Sequence, residues 1–264
     1  MRNKYLFIFR TTFMESLQYV MNIILGFFTF FLVIFVFAQV WNYIYGDSTK
    51  LIEGYTKGEM IWYLILTEIM WYGNKNATLL NQISEDIKSG SIAYGLNKPY
   101  HYILYVIAKH FGEMVLRLVL YIIIGCLIGV ASAGALLDFQ ADKLPLMVIV
   151  FILGLLINAA ARITISIISF WIEDSTPFHW IYDKMILVFG TFFPIDVFPA
   201  WLQPIFKYSP IFVVTYGPAR LIIHFSMSLF WQVLLLQLLY LVISWGLMFL
   251  LYQKGVKRVN VNGG

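Results

Sequence analysis

Residues able to do chemistry are few in this chain, and they are scattered. Glu68 stands in one apolar stretch and Arg162 in another, with Asn158 four residues before Arg162 and Ser166 four after it. Steps of four place Asn158, Arg162 and Ser166 on one stripe of a helix. With Glu68, they suit a polar seam facing a translocation route or another subunit. The plainer alternatives are a buried Glu68–Arg162 pair, or Arg162 reaching out to lipid headgroups. His110 and Glu113 share an i, i+3 spacing, which alone reads as a wet interfacial patch rather than a metal site. His101, His179 and His224 are too scattered in sequence for spacing to suggest a site. No G-x-x-x-x-G-K-[ST] loop and no H-E-x-x-H occurs, and no nucleophile or acid pair is clustered. The expectation is a non-enzyme with no catalytic, cofactor-binding or metal-binding residues of its own.

The elements that would carry these groups follow from composition. Hydrophobic residues make up 61% of the 264 and charged residues only 12%, about half the charge of an average soluble domain, which is about 25%. Mean hydropathy is +0.79. Too few polar groups exist to cover a surface in water, so the solvent is lipid. Stretches 16–46, 118–137, 144–161 and 221–253 carry no Asp, Glu, Lys or Arg. Each meets or approaches the roughly 20 residues that cross a bilayer as helix. A fifth, about 59–75, is interrupted by Glu68, and a sixth enters irregularly after residue 181. The expected architecture is all-α and polytopic: six transmembrane helices, five at about 21–45, 59–75, 112–135, 144–171 and 228–252 and one irregular span in the region after Ile181, where the apolar run 185–195 is short, forming one domain over 1–264. The first span is too long for the core of a cleaved signal, and no convincing cleavage site follows it.

Residues 1–20 read as an interfacial helix, with Tyr5, Leu6, Phe9, Phe13 and Leu17 recurring at steps of three and four. Basic residues set the orientation. Arg2, Lys4, Arg10, Lys75, Lys88, Lys98, Lys109, Lys184, Lys254, Lys257 and Arg258, with Arg117 and Arg162 partly within spans, fall on one side, against Lys50, Lys57, Lys143, Lys207 and Arg220 on the other. The positive-inside rule then puts both termini in the cytoplasm of a cell-membrane, multi-pass protein. The net charge of +4 reports this topology, so no nucleic-acid partner is expected. Asn76-Ala77-Thr78 matches a glycosylation sequon but falls on the inside. Cys126, the single cysteine, sits in an apolar run and excludes a disulfide framework. Gly125, Gly129 and Ala133 form a small-residue row suited to close helix packing.

Two segments break the apolar pattern. "NQISEDIKSGSIAYGLNKPYHY", between the second and third spans, concentrates charge in a chain that otherwise lacks it. Leu79, Ile83 and Ile87 share a helical face, with Asn81, Glu85 and Lys88 turned away; Ser89-Gly90-Ser91 ends the helix and Pro99 suits the start of the next. Residues 79–99 thus read as a short amphipathic cytoplasmic helix joined to a membrane helix at each end. Between the last two spans, "GTFFPIDVFPAWLQPIFKYSP" begins a segment, about 190–220, that carries Pro194, Pro199, Pro204, Pro210 and Pro218. Proline ends helices, and irregular backbone at membrane depth must be buried in protein or line a cavity. The fifth helix is expected to break at Phe193-Pro194 into external or re-entrant helices.

With six spans, an interfacial N-terminal helix and these two segments, the chain resembles the ABC-2-type transporter permeases, including small bacterial permeases that occur as paired subunits. The resemblance implies an exporter permease that binds an ABC ATPase subunit, which holds ATP and Mg2+, and a second permease, identical or similar. It implies that Ile83, Glu85, Asp86, Ile87, Lys88 and Gly90 form a coupling surface for the ATPase. It also implies that Phe193, Pro194, Phe198, Pro199 and Trp201 form an external gate. The family has no fixed substrate motif; the aromatic content of 18% suits lipid contact as well as an amphiphilic, lipid- or peptide-like cargo, and membrane lipid is the remaining partner. The alternative is an ATP-independent secondary transporter or channel, which would favour a second broken helix matching the first.

Overall fold

A computed structural model describes residues 3–18, 20–46, 51–74, 77–136, 138–172 and 174–262. Arg2, Lys50, Lys75 and Asn76 lie outside these, as does the side chain of Leu79. Among the described residues the chain is helix and turn, with one isolated bridge between Ile52 and Tyr55. Four helices are long and apolar enough to cross a membrane, over Ile24–Tyr45, Tyr102–Ala133, Ala141–Phe170 and Met227–Arg258. The protein is an all-α polytopic membrane protein. Its α-helices run α1 Asn3–Gln18, α2 Val20–Tyr45, α3 Lys57–Asn74, α4 Ala77–Lys88, α5 Ile92–Leu96, α6 Tyr102–Ala133 and α7 Leu144–Ile167. After these come α8 Thr176–Ile186, α9 Gln203–Lys207, α10 Gly217–Ile223 and α11 Met227–Asn262.

α3, Lys57–Asn74, is less apolar than the four candidate spans, and its surroundings explain why. It lies against α2, α6, α7 and α10, and nearly every residue from Met60 to Asn74 is buried. A helix enclosed by protein does not face lipid, so it can carry Thr67, Glu68 and Asn74. Its 18 residues rise about 27 Å, close to the thickness of a hydrocarbon core. α3 and α6 run antiparallel and pack through the small-residue row: a side chain added at Gly125 would meet Ile69, and one at Gly129 the Trp62 ring. Gly58 lies against Ala133, and the Trp62 indole donates to the Gly134 carbonyl at 3.0 Å.

α6 starts at Tyr102, ten residues earlier than the span expected from about 112. Its first three turns extend past the apolar stretch because other elements cover them: Tyr102, Ile103 and Val106 are buried in a cluster with α4, α7 and α11. α1 packs along the same region, the Phe9 carbonyl lying over Gly112. The apolar stripe expected of α1 is split. Tyr5, Phe9 and Phe13 are half-buried and Thr12 is buried, while Leu6, Phe7, Met14 and Leu17 are exposed.

The proline segment behaves as the residues require. α8 widens into a π-turn, Leu187–Phe192, that ends at Phe193. Phe193 is extended, with φ −130° and ψ 128°, the conformation imposed on a residue preceding proline. A short 3-10 turn, Ile195–Val197, then α9, a second π-turn over Phe212–Tyr216, and α10 complete the segment. Pro204 and Pro218 occupy the first turns of α9 and α10, where a missing amide costs nothing. Backbone left open by these irregular turns is satisfied from neighbouring helices. Tyr63 donates to the Gly190 carbonyl at 2.7 Å and Thr67 to that of Thr191 at 3.2 Å. Gln237 of α11 donates to the carbonyls of Val150 and Val213, both at 2.8 Å.

Candidate coupling and gate sites

At one end of the bundle, α4 joins the buried and exposed worlds along its two faces. Leu80, Ile83, Ser84 and Ile87 are buried, packed with Ile103 of α6, Ile163 and Ile167 of α7, and Met248 and Tyr252 of α11. Asn81, Gln82, Glu85 and Lys88 are exposed. The six residues expected to form one coupling surface are therefore divided. Ile83 and Ile87 are rooted in the chain's own core, where residues of α6, α7 and α11 gather beneath α4. Asp86 is half-buried and accepts from the Tyr102 hydroxyl at 3.1 Å and the Ser91 hydroxyl at 3.1 Å. Glu85, Lys88 and Gly90 are exposed.

Polar contacts tie this insertion to α1, α6 and the connection between α7 and α8. Gly90, at φ 74°, supplies the left-handed turn between α4 and α5. The Ser84 and Ser175 hydroxyls share a hydrogen bond at 2.7 Å. Lys88 lies 3.4 Å from Asp174, whose carboxylate the Thr176 amide and hydroxyl hold below its usual pKa range. From α1, Lys4 donates to the Pro99 carbonyl at 2.5 Å, and the His101 amide donates to the Tyr5 hydroxyl at 3.0 Å. Tyr94 of α5 is exposed over 78% of its surface and went unremarked in the sequence, where an aromatic among apolar neighbours carries no sign of facing outward.

The polar seam is buried throughout: Glu68, Asn158, Arg162 and Ser166 are each at most 2% exposed. Arg162 meets Asp183 of α8 at 2.9 Å and donates through Nε to Asn158 at 3.2 Å. Its guanidinium is 4.9 Å from the Trp71 ring and 5.5 Å from that of Tyr182. Arg162 is enclosed instead of reaching headgroups, and Asp183 of α8 supplies it a carboxylate that spacing did not point to. A guanidinium at 2% exposure needs an anion within reach, and α8 brings one. Tyr182 donates to Asn158 at 2.9 Å, and Ser166 bonds His179 at 2.9 Å, so the stripe on α7 is read by α8. Glu68 sits on α3, three residues before Trp71.

His110 and Glu113 part company. His110 is 1% exposed and bonds the Asn74 side chain at 2.8 Å, while Glu113 meets Arg117 at 2.8 Å. The wet patch expected from their spacing is overturned for His110, because α3 lies over it.

At the opposite end, Phe193 and Phe198 join an aromatic cluster. Phe193 lies 6.0 Å from Trp41 and 6.4 Å from Phe198; Phe192 stacks on Phe37 at 4.0 Å, and Phe189 on Phe206 at 4.5 Å. Pro194 is buried and Pro199 exposed. Trp201 stands apart from this cluster, 73% exposed. Between Phe193 and Phe198 lies a hub that spacing did not reveal. Asp196 accepts from Arg220 at 2.8 Å, from Tyr55 at 3.3 Å and, in a short contact, from Tyr216. Lys207 lies 3.8 Å away. Tyr216 and Arg220 share one turn, but Asp196, Tyr55 and Lys207 come from separate segments, so only folding completes the hub.

A family model described as an ABC-2 family transporter protein matches residues 23–263. No curated protein matches the chain.

Proposed function

Since the chain belongs to the ABC-2 transporter family, as a permease component of an ABC transporter, we propose that it moves an amphiphilic, lipid- or peptide-like substrate out of the cell with ATP hydrolysed elsewhere. ATP and Mg2+ belong to a partner ABC ATPase, and a second permease, identical or similar, completes the pathway. The chain is one transmembrane domain of six spans, α3 and the α8 π-turn unit adding two to the four apolar helices, with both termini in the cytoplasm of the cell membrane. The 190–220 segment then forms the external gate around Phe193, Pro194 and Phe198, with Pro199 and Trp201 at its rim. The seam of Glu68, Asn158, Arg162 and Ser166 lies between helices whose relative motion opens the route.

One observation carries the coupling role: α4 buries Ile83 and Ile87 against α6, α7 and α11 while exposing Glu85 and Lys88. A ligand shifts a conformational equilibrium only through differential affinity for its states, so ATP bound on another subunit needs a stiff element reaching into the bundle. α4 has that form. Glu85, Lys88 and Gly90, with the Tyr94 ring as an aromatic anchor of the kind that dominates interfaces, make the contact surface. Ile83, Ile87 and Asp86 transmit its displacement inward. The ATP-independent alternative lacks a specific observation in its favour. The test is co-expression with the ATPase subunit. Glu85→Lys with Lys88→Glu is expected to lower co-purification at least tenfold while membrane insertion is retained. Undiminished co-purification and ATPase stimulation would remove the coupling role from this face.

A further inference from the structure

The end of the bundle that holds the Asp196 hub also gathers Glu59, Asp138 and His224, with one ligand atom from each lying within 4.8 Å of the others. We propose that these three side chains form a binding site for a divalent transition metal of the zinc class.

The three come from separate segments: Glu59 from the first turn of α3, Asp138 from the connection between α6 and α7, and His224 from the C-terminal cap of α10. His224 Nε2 lies 2.7 Å from Glu59 Oε1. The Glu59 carboxylate is held from behind: its Oε2 accepts from the Thr56 amide at 2.7 Å and the Thr56 hydroxyl at 2.8 Å. That leaves Oε1 aimed at the imidazole. Groups that orient a ligand carboxylate in this way raise metal affinity. The His224 ring rests against Tyr55, centroids 5.4 Å apart. Two cations at this end of the bundle, Arg220 and Lys207, are engaged by Asp196.

The donor set selects the metal. One imidazole nitrogen with two carboxylate oxygens is a borderline set with room for water, as in three-ligand zinc sites. Mg2+ and Ca2+ prefer oxygen alone. Tetrahedral ligands at about 2 Å from zinc stand about 3.3 Å from one another. Glu59 and His224 would open slightly from 2.7 Å, and exposed Asp138 would move in from its loop. A bound ion would fasten the start of α3, the α6–α7 connection and the α10–α11 junction to one another.

The full chain, purified in detergent with its affinity tag removed and dialysed against chelator, tests this by titration with Zn2+ alone. The expected result is one Zn2+ per chain and a thermal midpoint raised by several degrees, with Mg2+ giving neither. His224→Ala is expected to weaken Zn2+ binding by at least about 100-fold, beyond what loss of an outer-shell group costs. Asp138→Asn, a change at an exposed loop residue, is expected to weaken it at least tenfold, and it keeps the test decisive if His224→Ala does not fold. No Zn2+ response at millimolar concentration, equal binding by wild type and Asp138→Asn, or an equal response to Mg2+ would overturn the site, leaving a histidine–carboxylate hydrogen bond only.

Discussion

Arg162 leads the fully buried side chains by volume, and its surroundings decide what its charge costs. Asp183, Asn158, Trp71 and Tyr182 enclose the guanidinium, yet one terminal nitrogen, Nη2, makes no hydrogen bond. Such a pair stabilises little in itself, whereas removing one partner strands the other. Asp183→Ala is expected to destabilise the protein by about 3 kcal/mol, read as a lowered unfolding midpoint in detergent. Combining it with Arg162→Met is expected to restore most of that loss, because an apolar pair no longer leaves a charge buried. If the double variant is as unstable as the single, the pair is not an isolated electrostatic unit. Sequence spacing found Asn158, Arg162 and Ser166 together, since all three share one helix. It did not find Asp183, Tyr182 and His179, because the turn that folds α8 back along α7 leaves no periodic trace.

Among the elements, α3 sets the tolerances of the bundle. It is wedged between α2, α6 and α7, so contacts on its surface have no lipid to yield to. A Cβ at Gly129 would lie 2.5 Å from the Trp62 ring, and overpacking of this kind costs about 1–3 kcal/mol. Gly129→Val is thus expected to lower the thermal midpoint and the yield of folded protein. Gly246→Ala on α11, where a Cβ meets nothing within 4 Å, is expected to be neutral or mildly stabilising, since alanine is the better helix former. Equal effects at the two positions would show that helix propensity rather than the α3–α6 contact governs. The Gly125–Gly129–Ala133 row was legible beforehand because close packing between membrane helices requires small residues at a fixed spacing. The early start of α6 was not, because residues 102–111 are covered by α1 and α4 and so need not look apolar throughout.

For the whole molecule, the α4 end and the proline end are distinct chemical regions. The first exposes Glu85, Lys88 and Tyr94; the second holds the Asp196 hub, the aromatic cluster and exposed Trp201. A six-span topology puts them on opposite sides of the membrane. With Cys126 replaced by serine, Tyr94→Cys is expected to react with an impermeant thiol reagent only in inside-out vesicles, and Trp201→Cys only in right-side-out vesicles. Labelling of both from the same side would discard the six-span arrangement and the coupling role of α4 together.

The sequence by itself determined that this is a helical membrane protein, where its four long apolar stretches lie, that the 79–99 insertion is amphipathic, and that the chain breaks at Phe193-Pro194. Each of these is written in local composition or in the backbone limits of proline, which act over a few residues. Only the tertiary structure decided which face of α4 is free, that Arg162 answers to Asp183, that Asp196 gathers Tyr55, Tyr216 and Arg220, and that Glu59, Asp138 and His224 meet. Those outcomes depend on pairings between distant segments, where burial and charge neutralisation select partners that sequence separation conceals.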